Sequence, residues 1–254
     1  MRLVSLCPSL TELVFDLGRG ADLVGITRWC VHPADEVARL ETVGGTKDPD
    51  VARIVELAPD LVLMNDEENR IEDADDLREA GVEVLSSLPR TTGDTAAMVR
   101  SIAAALERID AGESIACDIE SRTARVRAEA AGKDPVRFAY LIWRKPFMAA
   151  GSDTFASALL GQAGGTNVFD GCEDRYPEFT AEKLAAHDPD VILLGSEPFP
   201  FEAAHALELA EATRLPRERF VLADGELLSW HGSRTPRGID YAEGLIRAVR
   251  AQRS

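Results

Sequence analysis

Two stretches of the chain, about half its length apart, read alike. Residues 52–67 read ARIVELAPDLVLMNDE, and residues 182–197 read EKLAAHDPDVILLGSE. Both run from a helix through Pro-Asp into an aliphatic strand, and then into a loop that carries Glu67 or Glu197. Any helix-to-strand connection in an α/β protein can look similar. The spacing of the two stretches (182 − 52 = 130 residues) nevertheless favours two similar α/β lobes.

Short apolar runs alternate with amphipathic stretches around both copies, which is typical of an α/β protein with parallel sheets. We expect strands at about 2–6, 22–26, 60–64, 82–85, 136–142, 191–194 and 220–222. We expect helices at about 9–17, 49–57, 69–80, 94–109, 114–131, 153–163, 180–186, 202–213 and 236–251. Two start signals stand out: Ser9-x-x-Glu12 predicts a capping box, and Asp48 before Pro49 predicts an N-cap.

The segment 111–132 lies between the two predicted lobes. It has no proline and is rich in Ala, Arg and Glu, which are good helix formers. A flexible linker would instead be rich in Gly and Ser. We therefore predict an N-terminal α/β lobe at 1–110, a single bridging helix at 111–132 and a C-terminal α/β lobe at 133–254.

The composition excludes several classes of protein. Of 254 residues, 45% are hydrophobic and 28% are charged, so the chain can bury a core. The formal net charge is −16, which argues against nucleic acid as a partner, because a nucleic-acid binder needs a basic face. The same charge disfavours docking on an anionic membrane surface. The apolar runs have the length of strands and fall short of the roughly 18 residues of a membrane span.

Met1 leads directly into a strand-like run, and no apolar signal segment precedes it. We therefore expect either a cytoplasmic protein that starts at Met1 or a periplasmic protein whose export signal has been removed. Cys7, Cys30, Cys117 and Cys172 are widely spaced and form no Cys-x-x-Cys pair. Neither a zinc ribbon nor a dense disulfide framework is expected from them.

Signatures of several enzyme classes are absent from the sequence. It contains no Gly-x-Gly-x-x-Gly, no Gly-x-x-x-x-Gly-Lys-Ser/Thr, no His-Glu-x-x-His and no Gly-x-Ser-x-Gly. Nucleotide-driven, zinc-peptidase and α/β-hydrolase chemistry therefore lack their motifs.

Unusual residues fall in the loops that follow predicted strands. In open parallel sheets, ligands bind beyond the carboxyl ends of the strands, where such loops meet. All three tryptophans of the chain, Trp29, Trp143 and Trp230, lie in these loops. A single tryptophan could simply be a packing residue that covers the end of a strand. It is less expected that all three tryptophans have this role. Flat aromatic faces beside charged groups suit a large, flat, partly polar ligand.

Charged side chains and imidazoles in the same loops complete the predicted ligand-binding site. Arg144 and Arg234 could donate charge-assisted hydrogen bonds to polar ligand edges, and Glu67 could accept hydrogen bonds from amides. His32 and His231 could ligate a metal or a metal complex, or could have no special role.

A site for a free metal ion is an alternative. Such sites usually bring together three or four nitrogen, oxygen or sulfur ligands. Cys7, Cys30, His32 and Glu67 are the residues that could supply them. We predict no dedicated metal site, and the free-metal receptor remains an alternative.

Six stretches, spread over nearly the whole chain, point to a known family. They are VSLCPSLTEL (4–13), LVGIT (23–27), APDLV (58–62), GSDTF (151–155), GGTNVF (164–169) and PDVI (189–192). Together they resemble the vitamin B12 and iron-siderophore substrate-binding proteins, the class III receptors of ABC importers, and most of all their cobalamin-binding branch. The resemblance implies two α/β lobes bridged by one long helix, with the ligand in the cleft between them.

The resemblance also implies the ligand. We expect a corrinoid such as cobalamin, or another large metal chelate such as a ferric siderophore, to be bound by a monomer. The resemblance implies no catalytic residues, no intrinsic cofactor and no enzymatic activity. The alternative is a chelatase-like enzyme that acts on tetrapyrroles, in which His32 or His231 would accept a pyrrole proton.

The resemblance implies a protein partner as well, the permease of an ABC transporter. Receptors of this family engage transporter arginines through one glutamate per lobe. Glu182 matches the second of these positions, but Ala52 occupies the first. We therefore expect docking through Glu182 alone, and weaker docking than a receptor with two glutamates achieves.

Overall fold

Four parallel strands form the N-terminal sheet in a computed structural model that describes residues 1–253. The strands are β1 (Leu3–Ser5), β2 (Leu23–Ile26), β3 (Leu61–Asn65) and β4 (Val84–Ser87). The helices are α1 (Pro8–Asp16), α2 (Ala34–Val37), α3 (Val51–Glu56), α4 (Ile71–Glu79), α5 (Thr92–Ala105) and α6 (Ile109–Ala130). The order β2-β1-β3-β4 is parallel at each pairing. The carboxyl ends of these strands therefore meet at one edge of the sheet.

The C-terminal sheet is mixed. Its strands are β5 (Val136–Trp143), β6 (Phe147–Ala149), β7 (Gly165–Asn167), β8 (Glu178–Phe179), β9 (Val191–Gly195) and β10 (Phe220–Ala223). Its helices are α7 (Phe155–Gln162), α8 (Ala181–Ala186), α9 (Ala203–Thr213), α10 (Gly225–Ser229) and α11 (Thr235–Arg253). The order is β10-β9-β5-β6-β8, with β7 beside β5. Strands β5, β7, β9 and β10 pair in parallel, and β6 and β8 add antiparallel pairings.

The predicted α/β class with parallel sheets is confirmed, with β6 and β8 as antiparallel additions to the second sheet, and each predicted strand is present. Strands β6, β7 and β8 and helices α2 and α10 are not predicted. They have between 2 and 5 residues each, which is too short to display a helical or strand period.

Strands β3 and β9 lie at the centre of the two hydrophobic cores. All five residues of each strand are buried, because helices cover both faces of a parallel strand. Val62 and Met64 pack with the first core, and Ile192 and Leu194 pack with the second. Among residues 1–253, no helix combines the length and the apolar character needed to cross a membrane.

The described chain divides into two compact units. Unit 1 comprises Met1–Pro89, Gly93–Asp118 and His231–Arg234, and unit 2 comprises Arg90–Thr92, Ile119–Trp230 and the chain from Thr235 onward. Helix α6 runs without a break from unit 1 into unit 2 and is about 33 Å long at 1.5 Å per residue. The single long helix predicted at 111–132 is thus present and begins earlier, at Ile109. The domain boundaries at 110 and 133 stay a prediction.

The repeat in the sequence extends to matching hydrogen bonds. In unit 1, the backbone N–H of Arg2 donates to Oδ2 of Asp60 at 2.6 Å, and the N–H of Asp60 donates to the carbonyl of Arg2 at 2.8 Å. In unit 2, Arg137 and Asp190 form the same pair of bonds, at 2.7 and 2.8 Å. The aspartate of each Pro-Asp therefore fastens the strand it begins to the neighbouring strand.

Both predicted helix starts are wrong in detail. Helix α1 begins at Pro8 with Cys7 as its N-cap, and no side chain caps it. The carboxylate of Glu12 is instead paired with Arg234. Helix α3 begins at Val51, and its N-cap is Asp50, whose Oδ1 accepts from the N–H of Arg53 at 3.0 Å. The partner of Glu12 is distant in sequence, so a local motif does not reveal it. The cap of α3 is local and lies two residues after the predicted Asp48.

Candidate ligand-binding site

The carboxyl ends of β2 and β3 carry three of the predicted site residues of unit 1. Trp29 and His32 follow β2, and Glu67 follows β3. Trp29 is 56% exposed, whereas His32 and Glu67 are half-buried. Lys47 lies beside this edge, and its Nζ donates to the carbonyl of Glu67 at 2.6 Å.

A guanidinium group lies on the indole of Trp29. The Cζ atom of Arg28 is 5.4 Å from the ring centroid, within the range of a cation–π contact. Nη2 of Arg28 also donates to both carboxylate oxygens of Asp48, at 2.7 and 2.8 Å. The most exposed tryptophan of the chain therefore has a charged partner in its own unit.

His231 reaches the end of β3, although it lies 166 residues away in sequence. Its Nε2 is 3.1 Å from Nδ2 of Asn65, the last residue of that strand. Oδ1 of Asn65 accepts from the backbone N–H of Glu67 at 3.0 Å. The structure thus brings Glu67 and His231 together around Asn65, and His231 is buried there.

Arg234 is held inside unit 1 by an ion pair. Its Nε and Nη2 donate to the two carboxylate oxygens of Glu12, at 2.7 and 2.6 Å, in the fork geometry that suits arginine. The side chains of Arg234 and Glu12 are only 8% and 17% exposed. This geometry gives Arg234 a protein partner, and contact with a ligand stays a prediction for it.

In unit 2, Trp143 ends β5 and is 41% exposed. The ring of Phe199 meets its indole edge to face, with centroids 6.1 Å apart and planes 72° apart. Phe199 in turn packs on Phe201 and His205. Trp143 is therefore the exposed end of an aromatic cluster.

The other predicted residues of unit 2 are less exposed. Nη2 of Arg144 donates to both carboxylate oxygens of Glu208, at 2.8 and 2.6 Å. Trp230 follows the last turn of helix α10, not a strand as predicted, and is 8% exposed. Its position is that of a packing residue, so the exposed indoles are those of Trp29 and Trp143.

The predicted docking residue lies on a short helix. Glu182 is the second residue of α8, and Ala52 is the second residue of α3, the equivalent helix of unit 1. Both are exposed. Hydrogen bonds from the backbone N–H of Glu182 and from the hydroxyl of Thr180 lower the pKa of the Glu182 carboxyl, so it is ionised at neutral pH.

The cysteines that could have ligated a metal are buried among hydroxyl groups. Cys7 Sγ lies 3.4 Å from Ser9 Oγ, and Cys30 Sγ lies 3.1 Å from Thr11 Oγ1. Burial raises the pKa of the Cys7 thiol to about 12, so it is protonated at neutral pH, whereas a metal ligand must be a thiolate. Within residues 1–253, no three His, Cys, Asp or Glu side chains converge to hold a metal ion.

The sequence pattern misses the polar side chains that organise this edge of the sheet. Buried Asn69 accepts from the N–H of Asn65 at 2.8 Å and donates from Nδ2 to the carbonyls of Leu6 and Thr46, both at 2.9 Å. Two asparagines four residues apart after a buried strand are the only local sign of this network, and the spacing does not reveal what they bind.

Known proteins resemble the chain over nearly its whole length. A vitamin B12-binding protein of Vibrio cholerae is 24% identical over 247 residues, which cover 95% of this chain and 86% of that protein. The crystal structure of the periplasmic vitamin B12-binding protein BtuF of Vibrio cholerae matches with a TM-score of 0.84 and 22% identity, and covers 98% of this chain and 97% of that one.

A second solved structure is similar to the same extent. The periplasmic haem-binding protein BhuT, in complex with two haems, matches with a TM-score of 0.82 and 26% identity. The match covers 100% of this chain and 99% of BhuT. Residues 3–238 match the family described as periplasmic binding protein. The chain belongs to the periplasmic binding protein family.

Proposed function

We propose that this chain is the substrate-binding protein of an ABC importer and that it binds a tetrapyrrole-type metal chelate, either a corrinoid such as cobalamin or a haem. The relatives that support this proposal are vitamin B12-binding and haem-binding proteins. The family is one of binding proteins, which confirms the predicted non-catalytic role over a chelatase-like enzyme.

The observation that carries the proposal is the exposure of Trp29 and Trp143. Trp29 follows β2 and Trp143 is the last residue of β5, and each indole packs on a neighbouring side chain, Arg28 in one case and Phe199 in the other. An exposed tryptophan that is held in place offers a large flat surface at a low cost in side-chain entropy. Such surfaces match the faces of a macrocycle better than they match a bare metal ion.

The remaining predicted contacts differ in how accessible their side chains are to a ligand. Glu67 and His32 are half-buried and accessible to a polar ligand edge. Arg144 stays a proposed hydrogen-bond donor to the ligand, although its guanidinium already forms an ion pair with Glu208. Trp230, His231 and Arg234 are buried, so we propose that each stabilises the unit to which it belongs instead of offering its side chain to the ligand.

Location and transport follow from the same proposal. The family is described as periplasmic, and this supports a periplasmic location for the chain and gives no support to the cytoplasmic alternative. Delivery would require an ABC permease, with Glu182 as the proposed contact.

Titration with candidate ligands tests the proposal. Cyanocobalamin, haemin and a ferric siderophore are each added to the purified protein while absorbance and tryptophan fluorescence are recorded. We expect saturable binding of cyanocobalamin or haemin with strong fluorescence quenching. Trp29→Ala and Trp143→Ala should each weaken that binding by about 1 to 3 kcal/mol, the range of stacking contacts. Saturable binding of the siderophore alone, or of none of the three, would overturn the proposal.

A further inference from the structure

The turn that carries Trp29 is anchored at both ends. The N–H of Cys30 donates to the carbonyl of Thr27 at 3.1 Å, and Cys30 Sγ lies 3.2 Å from Thr27 Oγ1 and 3.1 Å from Thr11 Oγ1. Thr27 and Cys30 are buried, whereas Arg28 and Trp29 between them project outward. The core therefore fixes where this turn begins and ends, but not how the indole is oriented.

Arg28 is held at its backbone and at its side chain by one neighbouring loop, residues 44–49. The N–H of Arg28 donates to the carbonyl of Gly44 at 2.9 Å, and Nη2 donates to Asp48. The loop is closed by a bridge between Gly44 and Pro49, and Gly44 adopts a φ of 100° that favours glycine. Arg28 thus has a defined position without help from a ligand.

The guanidinium also lies directly on the backbone of this loop. A Cβ atom placed at Gly45 would come closest to Oδ1 of Asp48, and would also come within 2.6 Å of Nη2 and 2.8 Å of Cζ of Arg28. Glycine at position 45 therefore leaves room for the guanidinium, which extends from there over the ring of Trp29. The ring has Arg28 on one face, and 56% of the residue remains exposed.

We propose that Arg28 and Asp48 are positioning residues that hold the indole of Trp29 as a stacking platform for the flat face of the ligand. The proposal deepens the proposed function and rests on it for the identity of that ligand. A cation already lies over one face of the ring, and its charge disfavours a second cation on the opposite face. The platform therefore suits a neutral or electron-rich macrocycle face and not a second cation, and this separates a tetrapyrrole from a free metal ion.

The first test needs no ligand. The fluorescence of Trp29 is obtained as the difference between a chain that contains Trp29 and the same chain with Trp29→Phe. The anisotropy of this fluorescence and its quenching by acrylamide are then measured. In Arg28→Leu and in Gly45→Ala, which crowds both the Asp48 carboxylate and the Arg28 guanidinium, we expect lower anisotropy and stronger quenching than in the native chain. Arg78→Leu, which removes an exposed arginine of the same unit paired with Asp75, is the matched control and should change neither quantity. Unchanged anisotropy and quenching in both variants would overturn the proposal.

The second test is a double-mutant cycle on the affinity for cyanocobalamin and for haemin. Arg28→Leu should weaken binding of the preferred ligand about two- to fivefold when Trp29 is present, the size of an exposed cation–π contact. It should have no effect in the Trp29→Ala background, and Arg28→Lys should restore part of the loss. An equal loss in both backgrounds would overturn the positioning role, because Arg28 would then act independently of Trp29.

The two tests separate the two proposals. If the native chain binds neither probe, the proposed function fails, and the fluorescence measurements still decide whether Arg28 and Asp48 position the indole. Asp48→Asn keeps the size of the side chain and removes its charge, so it should reproduce part of the Arg28→Leu effect in both tests. Full retention of the native anisotropy and affinity in Asp48→Asn would remove Asp48 from the proposal.

Discussion

At the scale of single residues, the ion pair of Glu12 with Arg234 joins side chains 222 positions apart in the chain. A buried ion pair adds little net stability compared with well-packed apolar side chains, but breaking it on one side leaves a buried charge without a partner. The pair therefore contributes more to specifying where the segment His231–Arg234 lies than to the free energy of unfolding.

Arg234→Met should accordingly lower the free energy of unfolding by about 1 to 3 kcal/mol, because the half-buried Glu12 carboxylate loses this partner. The double variant Glu12→Leu with Arg234→Met should recover most of the loss. Urea unfolding followed by circular dichroism measures both, with Arg78→Met as an exposed control that should cost under about 1 kcal/mol. A double variant as unstable as the single one would contradict this explanation. Recovered stability without recovered ligand affinity would place Arg234 among the ligand contacts.

The Cys7 thiol gives a second prediction at this scale. Burial raises its pKa from 9.0 to about 12, so above pH 9 the unfolded chain loses this proton while the native chain keeps it. The contribution of the protonated Cys7 thiol to the free energy of unfolding is fully present below pH 9. It is lost as the pH rises toward 12, at up to about 1.4 kcal/mol per pH unit. Between pH 8.5 and 10.5, the free energy of unfolding measured with urea should decline less steeply with pH in Cys7→Ala than in the native chain. Exposed Cys117 supplies the control, since Cys117→Ala should keep the native slope. Parallel declines in the native chain and Cys7→Ala would show that the native thiol titrates normally.

At the scale of elements, α3 and α8 are equivalent helices with different surfaces. Each has six residues and a side-chain N-cap, Asp50 in α3 and Thr180 in α8. The exposed second residue is Ala52 in one and Glu182 in the other. A partner that contacts both helices therefore meets a carboxylate on only one of them.

This asymmetry predicts the behaviour of the proposed transporter complex. The native chain should bind its cognate importer weakly, with an affinity that declines little as salt is added, because one of the two carboxylates is missing. Ala52→Glu should tighten binding and steepen its salt dependence, and Glu182→Ala should weaken binding further. Glu79→Gln, on α4, is the control. Tight, salt-sensitive binding by the native chain that neither change alters would contradict the prediction.

At the scale of the whole molecule, neither unit is formed by one continuous stretch of chain. Unit 1 is completed by Gly93–Asp118 and by His231–Arg234, which follow parts of unit 2 in sequence. Helix α6 belongs to both units. Ion pairs also fasten its C-terminal half to α11, where Arg122 and Arg125 share the carboxylate of Asp240.

We therefore expect the two units to unfold together. Urea unfolding monitored by far-UV circular dichroism and by tryptophan fluorescence should give coincident transitions. Trp29 reports on unit 1 and Trp143 on unit 2, so the comparison of Trp29→Phe with Trp143→Phe resolves the two signals. Separate midpoints for the two indoles would show that the units unfold independently.

The sequence alone determined the α/β class, the repeated Pro-Asp connection, the long helix and the position of Trp29 in a loop after a strand. These features depend on local composition and on periods of 2 and 3.6 residues, which a single chain displays directly. The buried strands β3 and β9 can be recognised in the sequence for the same reason, since a strand that is covered on both faces is apolar at nearly every position.

Only the tertiary structure decided which of these residues are exposed and what holds them. Trp29 and Trp143 project outward while Trp230 is buried, and Glu12 pairs with Arg234 instead of capping its own helix. Asn65 and Asn69 join loops that are far apart in sequence. Side-chain pairs of this kind depend on how the strands pack and not on the residues next to them, so no local pattern contains them.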